Sequence, residues 1–256
     1  MSARLITLVF SHYNDKARWA LELAGLPFVE RPYLPGFSSL AVAMATGGRG
    51  GRADRVSSRF STPVLRTEEG EVLSDSTDIL RYADGRGGLG LFEAEGAGAL
   101  VDHYSDQIGP YTRLAAYWLL LPQSAVLDRL AVDNVGTGQV WAFRAAAPLA
   151  KGYLRRGLGL TQARYDKALQ RVRGEMDEAA DRLEGQPYLA GDRFSAADLT
   201  FAAMLSPVLC VQPEEGHGAV LPPVASMDEG SQALVAELRA HPAGQHALRM
   251  YAQHRG

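Results

Sequence analysis

Apolar positions crowd together at the start of the chain and then spread into a helical spacing. Leu5, Ile6, Leu8, Val9 and Phe10 form a run long enough for a buried strand and too short for a helix. A polar turn, Ser11-His12-Tyr13-Asn14, separates it from Asp15 to Ala24, where Ala17, Ala20, Leu21 and Ala24 share one helical face. Gly25 stops that helix and Pro27 follows, the usual order at a helix C-terminus. Phe28 to Leu34 reads as a second strand, with Pro32 placing it at an edge or near an end. The opening is therefore strand, helix, strand.

The pattern dissolves from Pro35 to Ser61 into Gly, Ser and Arg, with a short helix predicted over Ser39 to Thr46 and a mobile loop over Gly47 to Asp54. Thr62 to Arg66 reads as a strand, Glu68-Glu69-Gly70 turns the chain, and Glu71 to Leu73 returns beside it. Ser74 to Ala83 opens with capping residues and carries Ile79 and Leu80 inward, which predicts a helix. A first domain of mixed strands and helices is thus expected over 1–84. A linker over 85–98 begins with the Gly-rich stretch Gly85 to Gly90, and 99–256 reads as all-helical.

In that second domain, Leu169, Val172, Met176, Ala180 and Leu183 recur at helical spacing until Gly185 and Pro187 end the pattern. Ser195 is a good N-cap, and Asp198 stands three residues on, where it can reach back to the backbone. The run Leu199 to Leu205 is apolar on nearly all sides, so its helix is expected at the centre of the domain. Closing helices are predicted around Leu234 to Leu238 and Ala243 to Ala252.

Composition narrows the class. Of 256 residues, 46% are hydrophobic and 21% charged, which is ordinary globular composition. A formal net charge of −3 favours neither nucleic acid nor a basic membrane contact. Leu5 to Phe10 is too short for a signal segment or a membrane span, so a soluble cytoplasmic protein is expected. The single cysteine, Cys210, forbids an intrachain disulfide and reads as a small core residue within Val208 to Val211. The six histidines show no metal-ligand spacing, and no metal is expected.

These pieces resemble a known family. Ser11 to Leu21, followed by Gly25-Leu26-Pro27-Phe28, is similar to the first strand-helix-strand of glutathione transferases. Thr62-Pro63-Val64-Leu65 resembles that family's cis-proline segment, and Leu73 to Leu80 its acidic-Ser motif. Pro187 to Leu199 is similar to its capping-box motif. The order and near-family spacing of the set imply a thioredoxin-like α/β domain followed by an all-α helical bundle, the glutathione transferase fold. The stretch from Gly36 to Phe60 departs from the family in being longer and richer in glycine.

The resemblance implies glutathione as co-substrate, a small hydrophobic electrophile as second substrate, and a homodimer. It implies a cis bond at Thr62–Pro63, with the main chain of Val64 turned toward the cysteinyl unit. By the residues alone, Pro63 is simply a proline at a strand start. Asp75 and Ser76 would take the γ-glutamyl end, Ser76 from a helix N-terminus and Asp75 through the α-ammonium. Either Ser74 or Asp75 would in any case serve as a plain N-cap.

Asn14 stands where the family usually has Ser or Cys facing the sulfur. Its amide can donate to a thiolate and can equally act as an N-cap; it cannot form a mixed disulfide. Thiol–disulfide exchange is thereby excluded at that position, which leaves the thiol of glutathione as nucleophile. Ser11 and Tyr13 are the further hydroxyl donors of the same turn. His12, Tyr104, Tyr111, Arg113 and Trp118 are candidates for the second-substrate pocket, although aromatics at helical spacing also pack cores, and Gly109-Pro110 interrupts the register. Two readings follow: an enzyme that conjugates electrophiles or reduces organic hydroperoxides, and a non-catalytic protein on the same fold that carries hydrophobic ligands or binds a partner protein.

Overall fold

The computed structural model describes residues 2–51 and 59–255, with backbone alone at 146–151, 153 and 154. The first domain follows the predicted order. Strand β1 (Ala3–Leu8) leads into α1 (His12–Leu23), and β2 (Phe28–Tyr33) returns parallel to β1, Ala3 opposite Phe28 and Leu8 opposite Tyr33. Parallel neighbours need a crossover, and α1 supplies it. Helix α2 (Phe37–Ala45) starts two residues before the predicted Ser39, with Gly36 at positive φ as its N-cap. The predicted loop Gly47 to Asp54 lies within the described residues only as far as Gly51.

Strand β3 (Val64–Arg66) pairs antiparallel with β1, and β4 (Val72–Leu73) with β3, so the sheet order is β2-β1-β3-β4. Helix α3 (Ser76–Gly87) runs four residues past the predicted Ala83. Gly85 and Gly87 are in its last turn, and Gly88 ends it in the left-handed conformation that glycine accepts without a Cβ clash.

Eight α-helices follow among the described residues: α4 (Ala97–Gln107), α5 (Gly109–Leu120), α6 (Ser124–Asn134), α7 (Thr137–Gly157), α8 (Gln162–Leu183), α9 (Ala196–Leu209), α10 (Glu229–Ala240) and α11 (Pro242–His254). The break between α4 and α5 falls at Ile108, where Pro110 can start a helix but not continue one. Helix α9 is buried on almost every side, as its unbroken apolar run predicts. Asp198 anchors its start, accepting from the Ser195 amide at 3.1 Å, the Ser195 hydroxyl at 2.7 Å and the Leu189 amide at 2.8 Å.

The two domains share one core. Leu5, Trp19 and Ile79 of the first pack in the same apolar cluster as Tyr104, Phe201 and Tyr251 of the second. A buried ionic knot reinforces the seam. Asp15 Oδ2 accepts from Tyr251 Oη at 2.6 Å and Arg255 Nη1 at 2.7 Å, and Oδ1 accepts from the Gly218 amide at 3.0 Å. Burial alone would push the Asp15 carboxyl pKa up, but Arg255, His217 and Arg18 outweigh it and hold the group well below the usual carboxylate range. Gln139 of α7 adds a further tie, donating to Pro32 O at 3.1 Å and accepting from the Leu34 amide at 3.1 Å.

Candidate functional site

A cleft of about 490 Å³ opens between the domains. Its first wall comes from the turn before α1 (Ser11, His12, Tyr13), the Thr62–Pro63 segment, and Ser74 to Thr77 at the start of α3. Its second wall comes from Ser105 and Asp106 at the end of α4, from Arg113 and Tyr117 of α5, and from Leu127 and Leu130 of α6. Pro35, Ser38 and Phe10 close one end beside Leu120 and Pro207.

Asn14 is not in this cleft. It is fully buried, and its Nδ2 donates to Leu8 O at 3.2 Å and Thr62 Oγ1 at 3.1 Å. The expectation that it faces the cavity is corrected for a helical reason: Asn14 lies three residues beyond Ser11, already wound into α1 and turned to the strands. Its work is structural, bracing the residue that precedes Pro63. The Leu8 amide bonds the same Thr62 hydroxyl at 3.2 Å, so that hydroxyl is held from two sides.

Ser11 takes the exposed place instead. It is the N-cap residue of α1 and lines the cleft, yet its side chain makes no capping bond. The amides of Asn14 and Asp15 close on the Ser11 carbonyl, at 2.9 and 3.0 Å. The amide of His12 finds no main-chain acceptor among the described residues, and the positive end of α1 faces the cavity with a hydroxyl beside it. Tyr13 also lines the cleft, with its hydroxyl donating to Ser105 O at 2.7 Å across the domain seam.

The Thr62–Pro63 bond is cis. Val64, whose main chain was expected to face the ligand, is fully buried and sits opposite Ile6 in the sheet, outside the cleft. The correction moves the main-chain station back to Thr62, which borders the cleft and makes no main-chain to main-chain bond among the described residues. Val64 belongs to the paired strand, whereas Thr62, two residues ahead of β3, lies outside the ladder.

Asp75 and Ser76 both line the cleft. Asp75 is the N-cap of α3, accepting from the Thr77 amide at 2.7 Å and the Asp78 amide at 3.3 Å. Ser76 is nearly buried at the first turn of the same helix.

The pocket candidates divide. His12 and Arg113 line the cleft. His12 is 2% exposed and its Nε2 has no hydrogen-bond partner among the described residues, and its pKa falls to about 3 because burial disfavours the charged ring and Arg113 adds to that. Tyr104 belongs to the core, 2% exposed with its ring 5.0 Å from that of Phe201. Trp118 stacks on Tyr165 at 5.4 Å, and Tyr111 packs on the main core; neither reaches the cleft. The register is the reason: the break at Ile108 rotates α5 relative to α4, and it brings Arg113 and Tyr117 to the cleft instead. Only the turn of one helical repeat separates Tyr117 from Arg113, a spacing of four that the sequence does display.

Outside the cleft, His103 Nε2 meets Glu175 Oε2 at 2.7 Å, and Glu178 stands close enough for the three to group as metal ligands. Arg171 holds the second Glu175 oxygen at 2.7 Å and opposes a cation there. Their distance in sequence hid this group. Cys210 is buried, its thiol pushed up to about 12 by burial, which leaves it inert as a nucleophile.

Residues 10–86 match the family model of the glutathione S-transferase N-terminal domain, and residues 162–209 that of the glutathione S-transferase C-terminal domain. The chain has the glutathione transferase fold. Among solved structures, glutathione transferase GSTFuA2 from Phanerochaete chrysosporium aligns at a TM-score of 0.62 and 16% identity, over 100% of this chain and 99% of its own. The theta class glutathione S-transferase from Xanthomonas axonopodis pv. citri, solved with glutathione bound, aligns at 0.51 and 19%, over 96% and 97%. A glutathione s-transferase from Methylobacillus flagellatus, also solved with glutathione bound, aligns at 0.53 and 16%, over 96% and 98%. No curated protein matches the sequence. At these identities the likeness is one of fold. No helix among the described residues is long and apolar enough to cross a membrane.

Proposed function

We propose that this transferase-like protein binds glutathione along the first wall of the cleft and uses its sulfur to attack a small hydrophobic electrophile held against the second. One observation carries the reading. Three hydrogen-bonding stations follow one another along that wall: the start of α3 at Ser76, the unpaired main chain of Thr62 beside the cis bond, and the free Ser11 hydroxyl at the start of α1. Their chemistry suits, in order, a carboxylate, a peptide unit and a sulfur. Asp75 is the acceptor for the glutamyl α-ammonium.

Glutathione supplies the nucleophile: its sulfur bonds to the carbon of an aryl halide as halide departs with its electron pair, or to the β-carbon of an enone as the α-carbon takes a proton, or it attacks the outer oxygen of an organic hydroperoxide, releasing the alcohol and a sulfenic acid that a second glutathione converts to the disulfide and water. The chain stabilises the thiolate. Ser11 Oγ donates to the sulfur, and the positive end of α1 lowers the thiol's pKa. Asn14 acts at one remove by fixing Thr62 through its hydroxyl. Tyr13 closes the wall toward α4. The apolar faces of Tyr117, Leu127 and Leu130 receive the electrophile's carbon skeleton.

The carrier reading drew its support from Asn14 in place of a Ser or Cys, and Ser11 removes that support. A homodimer belongs to the same proposal, with Phe37, Leu40 and Met44 on the outer face of α2 as the apolar row offered to a second copy; light scattering would read it. The test of function is a calorimetric titration with glutathione, together with thiol consumption against aryl halides, enones and cumene hydroperoxide. Binding with turnover of at least one class is expected. No binding and no consumption would remove the proposal, and binding with the thiol left near its free pKa of roughly 8.5 would return it to a carrier.

A further inference from the structure

Lys16 is fully buried beneath the glutamyl end of the cleft, a rare place for an ammonium. Its Nζ donates to Thr77 Oγ1 at 2.8 Å and to Ser105 Oγ at 3.1 Å. Both hydroxyls line the cleft, one from α3 and one from α4. Among the described residues no carboxylate forms an ion pair with Nζ. Asp75, Asp102 and Asp106 act on it at longer range, and Arg81 opposes them.

An ammonium only donates, and this fixes the direction of the bonds around it. Ser105 accepts from Lys16 and donates its own hydroxyl hydrogen bond to Val101 O at 2.7 Å. Thr77 accepts from Lys16 as well, but its proton has no acceptor among the described residues. The Ser76 amide is likewise without an acceptor, because Asp75 caps the amides of Thr77 and Asp78 instead. Two donors are thus left at the cleft, with a cation behind them. Asp75 and Asp106 border the same end. They suit the ammonium of a glutamyl unit and repel its carboxylate, a repulsion that Lys16 offsets.

We propose that Lys16 is the positioning residue for the glutamyl α-carboxylate: it orients the Thr77 hydroxyl as a donor into the cleft and supplies the positive charge that lets a zwitterion sit beside Asp75 and Asp106. The inference rests on the glutathione reading above. Burial lowers the Lys16 pKa to about 8 while Asp75, Asp102 and Asp106 resist and Arg81 assists, so the charge is present below that pH and is lost as pH rises through it.

The test uses S-methylglutathione, which has no thiol to titrate, and the same ligand with its glutamyl α-carboxylate converted to the amide. Calorimetry on the whole protein compares the two from about pH 6.5 to about pH 9.5, a range that brackets the lysine. The carboxylate form is expected to bind about tenfold more tightly at the acid end, the strength of one charge-assisted bond, and the advantage is expected to shrink toward the alkaline end. Lys16→Met should abolish the advantage at every pH, while Lys16→Arg should keep it and flatten its pH dependence. An equal loss for both ligands in Lys16→Met means a packing role and overturns the inference, as does a pH-independent advantage in the unaltered protein. The unaltered protein alone decides the matter if Lys16→Met does not fold. Failure of the unaltered protein to bind either ligand would instead fell the glutathione reading, and this inference with it.

Discussion

The two ends of the cleft are built in different ways. The polar end is made of contiguous pieces: the turn at Ser11 to Tyr13, the segment at Thr62 and Pro63, and Ser74 to Thr77. Main-chain groups and helix starts do the recognition there, and each piece is a short run of consecutive residues. The apolar end is assembled from single residues of α5, α6 and α9, namely Tyr117, Leu120, Leu127, Leu130 and Pro207, joined to Phe10 and Pro35. No two of its elements make a motif. One end therefore favours a fixed ligand read through backbone geometry, and the other can change its occupant by changing side chains.

Both ends depend on the seam that holds the walls together, so the largest effect should come from Asp15. It is fully buried and shared by Tyr251, Arg255 and the Gly218 amide. Asp15→Ala leaves Arg255 and His217 buried without their anion, and unfolding by denaturant should show a loss of about 3–5 kcal/mol. Glu22, the exposed partner of Arg255 at 3.1 Å, is the control; its replacement by Ala should cost under about 1 kcal/mol. Equal effects would mean that the knot does not join the walls.

At the polar end, Asp75→Ala removes both the cap of α3 and the proposed ammonium partner. Glutathione affinity should fall about 100-fold, the sum of a lost cap and a lost charge-assisted bond, with the apparent KM for the electrophile nearly unchanged. At the apolar end, Leu130→Ala should reverse that pattern, raising the KM for hydrophobic electrophiles by about tenfold at most, as a truncated pocket contact does, and leaving glutathione binding alone. Parallel losses in both constants from either substitution would break the division between the ends.

The sequence made the polar end legible and left the apolar end unread, for reasons that particular residues display. Asp75, Ser76 and the Thr62–Pro63 bond sit in short segments whose turn and cap chemistry is local. Even there, offsets of two or three residues decided the outcome. Val64 was expected where Thr62 stands, because strand pairing is a long-range event that assigns the main chain of Val64 to β1 and leaves that of Thr62, two residues earlier, outside the ladder. Asn14 was expected where Ser11 stands, because the exact start of α1 sets which side chain meets the cavity. At the apolar end, Tyr104 and Trp118 have the aromatic character of a pocket but not its place. The helix break at Ile108 and the packing on Phe201 and Tyr165 send them elsewhere. Helical periodicity gives a residue's face only relative to its own helix, and the pocket is defined by three of them.

Ser11 and Asn14 sharpen the comparison further, since both belong to the polar end but only Ser11 lines the cleft. Ser11→Ala should raise the pKa of bound glutathione toward its free value and slow turnover about tenfold or more, as loss of a donor to a developing charge does. Asn14→Ala strips two bonds from a buried site and should cost about 1–3 kcal/mol of stability, while moving the thiol pKa less than Ser11→Ala does. Spectrophotometric titration of the bound thiol measures both. A larger shift for Asn14→Ala would restore Asn14 to the sulfur.

The smallest effect concerns His12, which lies where the two ends meet. Its folded pKa of about 3 is below the usual value of 6.5. The unfolded chain therefore binds a proton below about pH 6.5 that the folded chain refuses, and stability must fall as pH drops through that window. His12 alone accounts for about 1.4 kcal/mol between neutrality and about pH 5.5. His217, also buried and lowered chiefly by burial, acts in the same direction. Denaturant midpoints compared at those two pH values should show the loss, and His12→Leu should remove a part of it equal to one titrating group. Because the ring stays neutral through the same window, it offers no positive charge to the sulfur, and a rate profile governed by an imidazole near pH 6.5 would contradict the buried neutral His12 directly.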